Sequence, residues 1–309
     1  FQAVLSATSL WLSIALMSLM SLIPGSAGEK LPSQADASER MNPELAPALA
    51  QFTTATSLVN NAKSAASLPH YRKALSLAPR DRFPQTWALI QFDLGAALFN
   101  ASAGDLDASG HQLQEEALTA LRASQGIFTK EANLQQWVKA QTLLAYTLFC
   151  MRDPSVRNGD APGDSSEAAA VAAIRAILEV VTLEKFPEEW SRAQMDLASF
   201  LTRQAEANKR RSAEPLLLNA LAALDTLTAF HPRQTMPKEW AEIQTQRGRV
   251  HLTWLKFGQP SEKATHLDTA EMHFKASLEI QKDRDPISDN ISGMEDVQRR
   301  KRSLQKSKR

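Results

Sequence analysis

Four segments of the chain share one spacing of uncommon residues, and this spacing decides the fold. They read FPQTWALIQFDLGAAL at 83–98, NLQQWVKAQTLLAYTL at 133–148, FPEEWSRAQMDLASFL at 186–201 and MPKEWAEIQTQRGRVHL at 236–252. In each, a glutamine follows the tryptophan by four residues and a small residue follows it by eight: Trp87/Gln91/Gly95, Trp137/Gln141/Ala145, Trp190/Gln194/Ala198 and Trp240/Gln244/Gly248. A degenerate fifth copy has Met294 and Gln298 in the tryptophan and glutamine places. The tryptophans are 50, 53 and 50 residues apart, so the chain is predicted to be a repeat array.

The spacing within each segment indicates an α-helix. Residues four and eight positions apart lie on one helical stripe, and a proline three residues before the tryptophan suits a first helical turn. A second motif lies between the copies, in which a small residue precedes a larger apolar one by four: Ala117/Leu121, Ala170/Ile174, Ala220/Leu224 and Ala270/Phe274. Small residues allow two helices to approach closely while the large residue fills the opposite groove. Each repeat is therefore predicted to be a helical hairpin, and the fold class all-α.

Composition excludes several classes of protein. The chain has 309 residues, 43% of them hydrophobic, with 11 glycines and one cysteine. A single cysteine excludes an intramolecular disulfide framework and a Cys-based zinc or iron–sulfur site. The net charge of +1 conceals an asymmetry, because seven basic residues and no acid fall in 299–309, which leaves 1 − 7 = −6 for the rest. We predict a mildly acidic body with a basic tail at 299–309.

The first part of the chain is predicted to lie outside the repeats. Residues 3–23 carry no charged side chain, and Ala27 ends a run of small residues before the first charge, Glu29. This pattern is typical of a secretory signal peptide, although the stretch is also long enough for a membrane anchor or a buried helix of the fold. We therefore expect a signal peptide or anchor at 1–27 and a flexible linker at 28–46, in a protein that is exported (periplasmic or secreted) or membrane-anchored.

The repeated residues resemble the tetratricopeptide repeat (TPR). Leu94-Gly95 match the leucine–glycine pair of its first helix, and Ala270/Phe274 match the alanine–aromatic pair of its second. The closer likeness is to the long bacterial repeats of about fifty residues, with the pattern P-x-x-W-A-x-x-Q-x-x-L-G. The resemblance implies a right-handed α-solenoid of stacked antiparallel hairpins over 47–306. It places units near 83–130, 133–183, 186–230 and 236–282 and a capping helix at 290–306.

The resemblance also implies a concave groove lined by the first helices. The positions that would face it, and so contact a partner, are Phe92, Ala96, Phe99, Thr142, Tyr146, Phe149, Met195, Ser199, Thr202, Thr245, Arg249 and Leu252. The alternative is that some of these aromatic side chains pack only against a neighbouring helix. The asparagine pair that follows the glutamine in the long repeats is absent, which argues against an asparagine clamp on a bound peptide. We expect the tryptophan and glutamine columns to be structural, with each glutamine amide bonded to neighbouring backbone or water, because packing recurs in every repeat whereas a binding site is local.

Motifs of catalysis are absent from the sequence. It contains no G-x-G-x-x-G, no Walker loop, no G-x-S-x-G and no H-E-x-x-H, and its histidines lack metal-type spacing. We therefore expect no enzyme activity, no cofactor, no metal and no small-molecule substrate. The function predicted is a protein–protein interaction scaffold that binds a peptide or helical segment of a partner. The alternative is an adaptor that meets an anionic membrane or nucleic acid through the tail at 299–309.

Overall fold

The computed structural model describes residue 39 and residues 41–102, 108–151, 166–207, 213–259, 261–281 and 288–307. Within these ranges the chain forms α-helices, turns and one short 3₁₀ helix, and no strand, which confirms the all-α class. The chain divides between residues 173 and 174 into two compact units, each described separately below. The predicted signal or anchor segment 1–27 lies outside the described residues, as does most of the predicted linker.

The first unit begins with a 3₁₀ turn at Pro43–Leu45, which Asn42 caps by accepting a hydrogen bond from the Glu44 amide. This turn falls in the last residues of the predicted linker, and it buries Leu45 completely. The helices that follow are α1 (Ala46–Asn60), α2 (Ser64–Leu77), α3 (Pro84–Ser102), α4 (Ala108–Gln125), α5 (Leu134–Cys150) and the start of α6 (Ser166–Leu178). Each of α1 to α4 packs against the next helix in the chain.

The second unit contains the end of α6 and five further helices. These are α7 (Pro187–Ala207), α8 (Ala213–Phe230), α9 (Pro237–Trp254), α10 (Lys263–Gln281) and α11 (Ser288–Ser307). α7 packs against α8, α8 against α9, α9 against α10, and α10 against α11. α9 also contacts both α7 and α11, so α7 and α9, the two helices that begin at tryptophan segments, lie side by side in this unit.

One turn geometry recurs before every tryptophan segment. The carbonyl oxygens of Pro79, Thr129, Thr182 and Pro232 each accept the amide four residues on, at 2.9 to 3.0 Å. Each turn is preceded by a buried side chain: Ala78, Phe128, Val181 and His231. Each tryptophan amide then donates to the carbonyl four residues earlier, which continues the hydrogen bonding into the next helix. The sequence repeat is therefore also a repeat of backbone geometry at these four places.

The small residue of the repeat is where two helices meet. A Cβ atom on Gly95 of α3 would lie 2.8 Å from Leu121 Cγ of α4, and one on Gly248 of α9 would lie 2.7 Å from Phe274 Cζ of α10. At such distances the side chains of Leu121 and Phe274 would have to shift, so only glycine fits these two positions without displacing them. The large residues Leu121 and Phe274 are completely buried in the space that the glycines leave.

Candidate binding grooves

An apolar groove lies between α1 and α3 on the first unit. Its volume is about 420 Å³, and its lining residues are Leu49, Phe52, Thr53, Thr56, Ser57, Asn60, Thr86, Leu89 and Ile90. Phe52, Leu89 and Ile90 form its buried floor, whereas Thr53, Ser57 and Asn60 are exposed at its edge. An apolar floor with a hydroxyl and amide rim suits the side chains and backbone of a peptide segment.

The floor of this groove is fixed by neighbouring contacts. The Phe52 ring meets the Tyr71 ring of α2 edge to face, with centroids 5.9 Å apart. At the other side, the Glu39 carboxylate accepts hydrogen bonds from the Thr86 amide and hydroxyl, both at 2.9 Å. A carboxylate at the first turn of α3 satisfies amides that have no partner within the helix and interacts favourably with the helix dipole.

Sequence reasoning missed the residues that α1 contributes to this groove. α1 has no tryptophan–glutamine triple, so it was absent from the aligned repeats. The available signal was helical spacing, because Leu45, Ala48, Phe52 and Ala55 recur every three or four residues and all four are buried. This spacing predicts a packed helix, but it does not show which recess that helix borders.

The structure places the predicted groove residues of the first unit in its interior. Phe92, Phe99, Thr142, Tyr146 and Phe149 are all buried, with exposed fractions from 1% to 6%, and Ala96 is buried beside them. Aromatic side chains at these positions fill the spaces between helices, as the alternative in the sequence analysis allowed. They are therefore not an open wall for a partner in this structure.

The predicted groove residues of the second unit are divided. Ser199, Thr202 and Thr245 are buried, whereas Met195, Arg249 and Leu252 are partly exposed. Thr245 belongs to a buried polar cluster that ties three helices together. Its hydroxyl lies 3.0 Å from Ser277 Oγ of α10 and 2.7 Å from Asn290 Oδ1 of α11. Because these buried polar groups hydrogen-bond to one another, Thr245 helps to hold α11 against α9 and α10.

The tryptophan column makes contacts within the units. Arg80, Lys130 and Arg233 lie over the rings of Trp87, Trp137 and Trp240 at 5.2, 5.3 and 5.0 Å from the centroid, each cation seven residues before its tryptophan. Trp190 has Leu183 at that place and instead meets the Phe230 ring edge to face. The cation–π contacts are a repeated feature that the sequence analysis did not include.

The four glutamines of the repeat do not share one common contact. The Gln141 amide donates to the Ala173 carbonyl at 3.5 Å, and Gln244 accepts from His273 Nδ1 at 2.7 Å. Gln91 and Gln194 are only half-buried, and within the described ranges neither side chain is hydrogen-bonded to another residue. A half-buried amide can bond to solvent instead. Gln141 and Gln244 therefore bond to a neighbouring helix, whereas the bond of Gln91 and Gln194 to water stays a prediction.

Three histidines and Trp254 form a cluster of rings in the second unit. His251 of α9 and His266 of α10 approach through their Nδ1 atoms at 3.0 Å, and the His251 ring stacks on His273 with centroids 5.8 Å apart. Trp254 stacks on His266 at 4.9 Å. Burial, with further contributions from neighbouring His273, His266 and Arg247, lowers the pKa of His251 to about 4. Burial and Arg247 lower the pKa of His273 to about 4, so both rings are neutral at pH 7.

A buried carboxyl group lies in the first unit. Asp93 of α3 is only 6% exposed. Burial raises the pKa of Asp93 to about 7, against the opposing effect of the Lys139 ammonium. Burial and the Asp93 charge also raise the pKa of the Tyr71 phenol. These groups are not arranged as a nucleophile with a base, and their place among packed helices makes them part of the core.

The described part of the basic tail is partly neutralised by ion pairs. Arg299 and Arg300 both pair with Asp296, at 2.9 and 2.8 Å. Lys301 pairs with Asp268 and Glu271 of α10. The Lys301 pairs attach α11 to α10, and all of these pairs reduce the positive charge that 299–301 present to solvent.

Among the described residues, no group of three or more His, Cys, Asp or Glu side chains is placed to hold a metal ion. Across the same ranges, no helix combines the length and apolar character that crossing a bilayer requires. No protein-family model matches the chain, and no curated protein matches it at a significant level.

Proposed function

We propose that the protein is a non-catalytic interaction scaffold of the TPR type, in which the hairpins stack as a right-handed α-solenoid. The repeated turns and the glycine contacts at Gly95 and Gly248 support regular stacking of hairpins. A hairpin of this kind cannot bury its apolar stripe alone, so neighbouring units must cover it. Extended arrays of this construction present grooves along which partner segments bind.

The α1–α3 groove is the site at which we expect a peptide or helical segment to bind. The observation that carries this assignment is its combination of a buried apolar floor at Phe52 and Leu89 with the exposed rim residues Thr53 and Ser57. Apolar anchors in a pocket provide affinity, whereas the rim provides hydrogen bonds and register. This groove replaces the buried aromatic positions as the partner-binding surface.

A matched pair of substitutions on α1 tests the assignment. Thr53 lines the groove, whereas its neighbour Thr54 is exposed and does not line it. Peptides of about sixteen residues would be selected from a display library against the full chain, and their affinities measured for Thr53→Arg and Thr54→Arg. We expect Thr53→Arg to weaken binding by at least about tenfold, because the long cation fills the recess, and Thr54→Arg to leave it unchanged. Equal affinity for both variants would remove the groove assignment.

The alternative role for the tail receives less support. The ion pairs of Arg299, Arg300 and Lys301 within the second unit favour the capping role of α11 over an anion-binding role for these three residues. Export to the periplasm or the exterior, or anchoring to the membrane by the N-terminal segment, stays part of the proposal on the sequence pattern of residues 3–27. N-terminal sequencing of the mature protein tests cleavage after Ala27.

A further inference from the structure

A second groove runs along α11, in the unit that begins at residue 174. Its volume is about 920 Å³, and it is lined by Leu278, Ile291, Met294, Glu295, Gln298, Arg299, Arg302 and Ser303. Leu278, Ile291 and Met294 supply an apolar surface, and Ile291 is 42% exposed. None of the described helices covers this surface, which α11 shares with the end of α10.

The repeat pattern shows what kind of element would fit here. In α3 and α9 the small-residue position is Gly95 or Gly248, and the next helix fills it with Leu121 or Phe274. The equivalent position of α11, eight residues after Met294, is Arg302. An arginine in the glycine place excludes a close-packed helix that presents a large apolar residue there. It favours instead a helix with a carboxylate at that position.

The charges at the groove are consistent with an acidic ligand. Arg299 is already paired with Asp296 at 2.9 Å. Arg302 is exposed and forms no ion pair with any residue that the structure describes. Glu295 on the groove wall disfavours a ligand with many negative charges. Among the described residues, Arg302 is thus a cation without an ion-pair partner beside an apolar strip, and the groove is not a uniformly basic surface.

We propose that the α11 groove binds an amphipathic helix of a partner protein, whose apolar side chains contact Leu278, Ile291 and Met294 and whose carboxylate pairs with Arg302. Residues 291 and 302 are eleven positions apart, or about 16 Å along the helix, which three turns of a partner helix would cover. The carboxylate occupies the place that Phe274 of α10 occupies against Gly248. This surface is separate from the α1–α3 groove, and the two are tested independently.

The chain itself supplies a probe for this surface. The probe is a fluorescein-labelled peptide with the sequence of 263–281 and the change Phe274→Glu. It keeps the apolar stripe of α10, the second helix of its hairpin, and its new carboxylate can pair with Arg302. Its binding to the full chain is measured by fluorescence anisotropy. We expect Arg302→Glu to weaken binding at least about tenfold, because attraction becomes repulsion. A peptide with Phe274→Lys is expected to restore binding to the Arg302→Glu protein.

The controls distinguish this proposal from its rivals. Lys238→Glu reverses an exposed charge elsewhere in the same unit and is expected to leave binding unchanged. Circular dichroism confirms that each variant is folded. The proposal is overturned if Arg302→Glu does not weaken binding of the Phe274→Glu peptide and the Phe274→Lys peptide does not restore it. It is also overturned if Arg302→Glu abolishes self-association or binding to phosphatidylserine vesicles while the peptide fails to bind the wild-type protein.

Discussion

The Phe274 ring lies directly against the backbone of Gly248, so that a Cβ atom on residue 248 would be 2.7 Å from Cζ. Gly293 of α11 approaches the same ring, where an added Cβ would be 2.5 Å from Cζ. The ring is completely buried. One phenylalanine therefore sets the spacing of α9, α10 and α11. The two glycines make this spacing possible because neither has a side chain that would collide with the ring.

Replacing this glycine should destabilise the second unit. In an ordinary helix, Gly→Ala stabilises by about 1 kcal/mol. At Gly248 the added methyl group collides with Phe274, and overpacking of this kind costs about 1–3 kcal/mol. We expect Gly248→Ala to lower the free energy of unfolding by up to about 2 kcal/mol, the overpacking cost less the gain in helix propensity, measured by urea titration. Gly248→Ala combined with Phe274→Leu should recover part of the loss, and a stabilised single variant would contradict the close approach.

Acidification should weaken the second unit through its histidines. His251 and His273 have pKa values of about 4 in the folded state, below the ordinary value of 6.5. Between these values the unfolded chain binds more protons, so stability falls as pH decreases from about 6.5 to about 4. Hydrogen–deuterium exchange of α9 and α10 amides, corrected for intrinsic rates, should show less protection at pH 5 than at pH 7.

Variants locate this pH effect in the histidine cluster. The groups that act on the pKa of His251 are Arg247 on its own helix and the imidazoles of His273 and His266 on α10. The double change His251→Phe/His273→Gln should reduce the loss of protection between pH 7 and pH 5. His111→Gln alters a histidine of the first unit and should leave this loss of protection unchanged. An unchanged pH dependence in the double variant would show that other groups are responsible.

The first unit should respond to pH in the opposite direction through Asp93. Its pKa is raised to about 7 by burial, so the folded state keeps a proton that the unfolded state loses near pH 4. The contribution of Asp93 to stability is thus complete below about pH 4 and is lost as pH rises to about 7. Asp93→Asn should flatten the pH dependence of amide protection in α2 and α3 across this range. Asp81 is exposed, so the control variant Asp81→Asn should not change this pH dependence.

Glu39 should contribute more to stability than a surface ion pair does. Its carboxylate binds the Thr86 amide and hydroxyl at the start of α3. Glu39→Ala should cost about 1 kcal/mol in thermal or urea unfolding, the usual effect of removing a helix cap. Arg82→Ala, which removes a solvent-exposed pair with Glu44, should cost less than about 0.5 kcal/mol. Equal losses would contradict a capping role.

The sequence predicted the helical class because packing geometry repeats in it. Spacing of tryptophan, glutamine and small residues gives the face of a helix, and the glycine–Leu121 and glycine–Phe274 contacts explain why the small residue recurs. Spacing alone could not show which residues of that face stay open to solvent. Phe92 and Tyr146 were expected to face a groove, yet both are buried, because exposure depends on how closely neighbouring helices approach.

The glutamine column shows that an identical residue need not make an identical contact. Gln141 and Gln244 reach a partner on the following helix, because Ala173 and His273 lie within hydrogen-bond distance there. Gln91 and Gln194 stand at the same place in their segments, but the described residues around them offer their amides no such bond. The position on the helix could be predicted from the spacing, whereas the partner depends on the residues of the neighbouring helix.

The sequence also could not show which residues from different helices lie together in the fold. His266 and His273 are seven residues apart and share a face of α10, which is a signal that spacing does contain. Their meeting with His251 and Trp254 depends on how α9 and α10 pack. The same holds for the α1–α3 groove, because α1 lacks the residues that identified the other helices.

We propose that a partner segment binds in the groove between α1 and α3. Amide hydrogen–deuterium exchange of the full chain, with and without a peptide selected from the display library, tests it most directly. The account predicts new protection in 49–60 and 84–90, present in Thr54→Arg and lost in Thr53→Arg. Protection confined to other helices, or identical protection in both variants, would contradict the account.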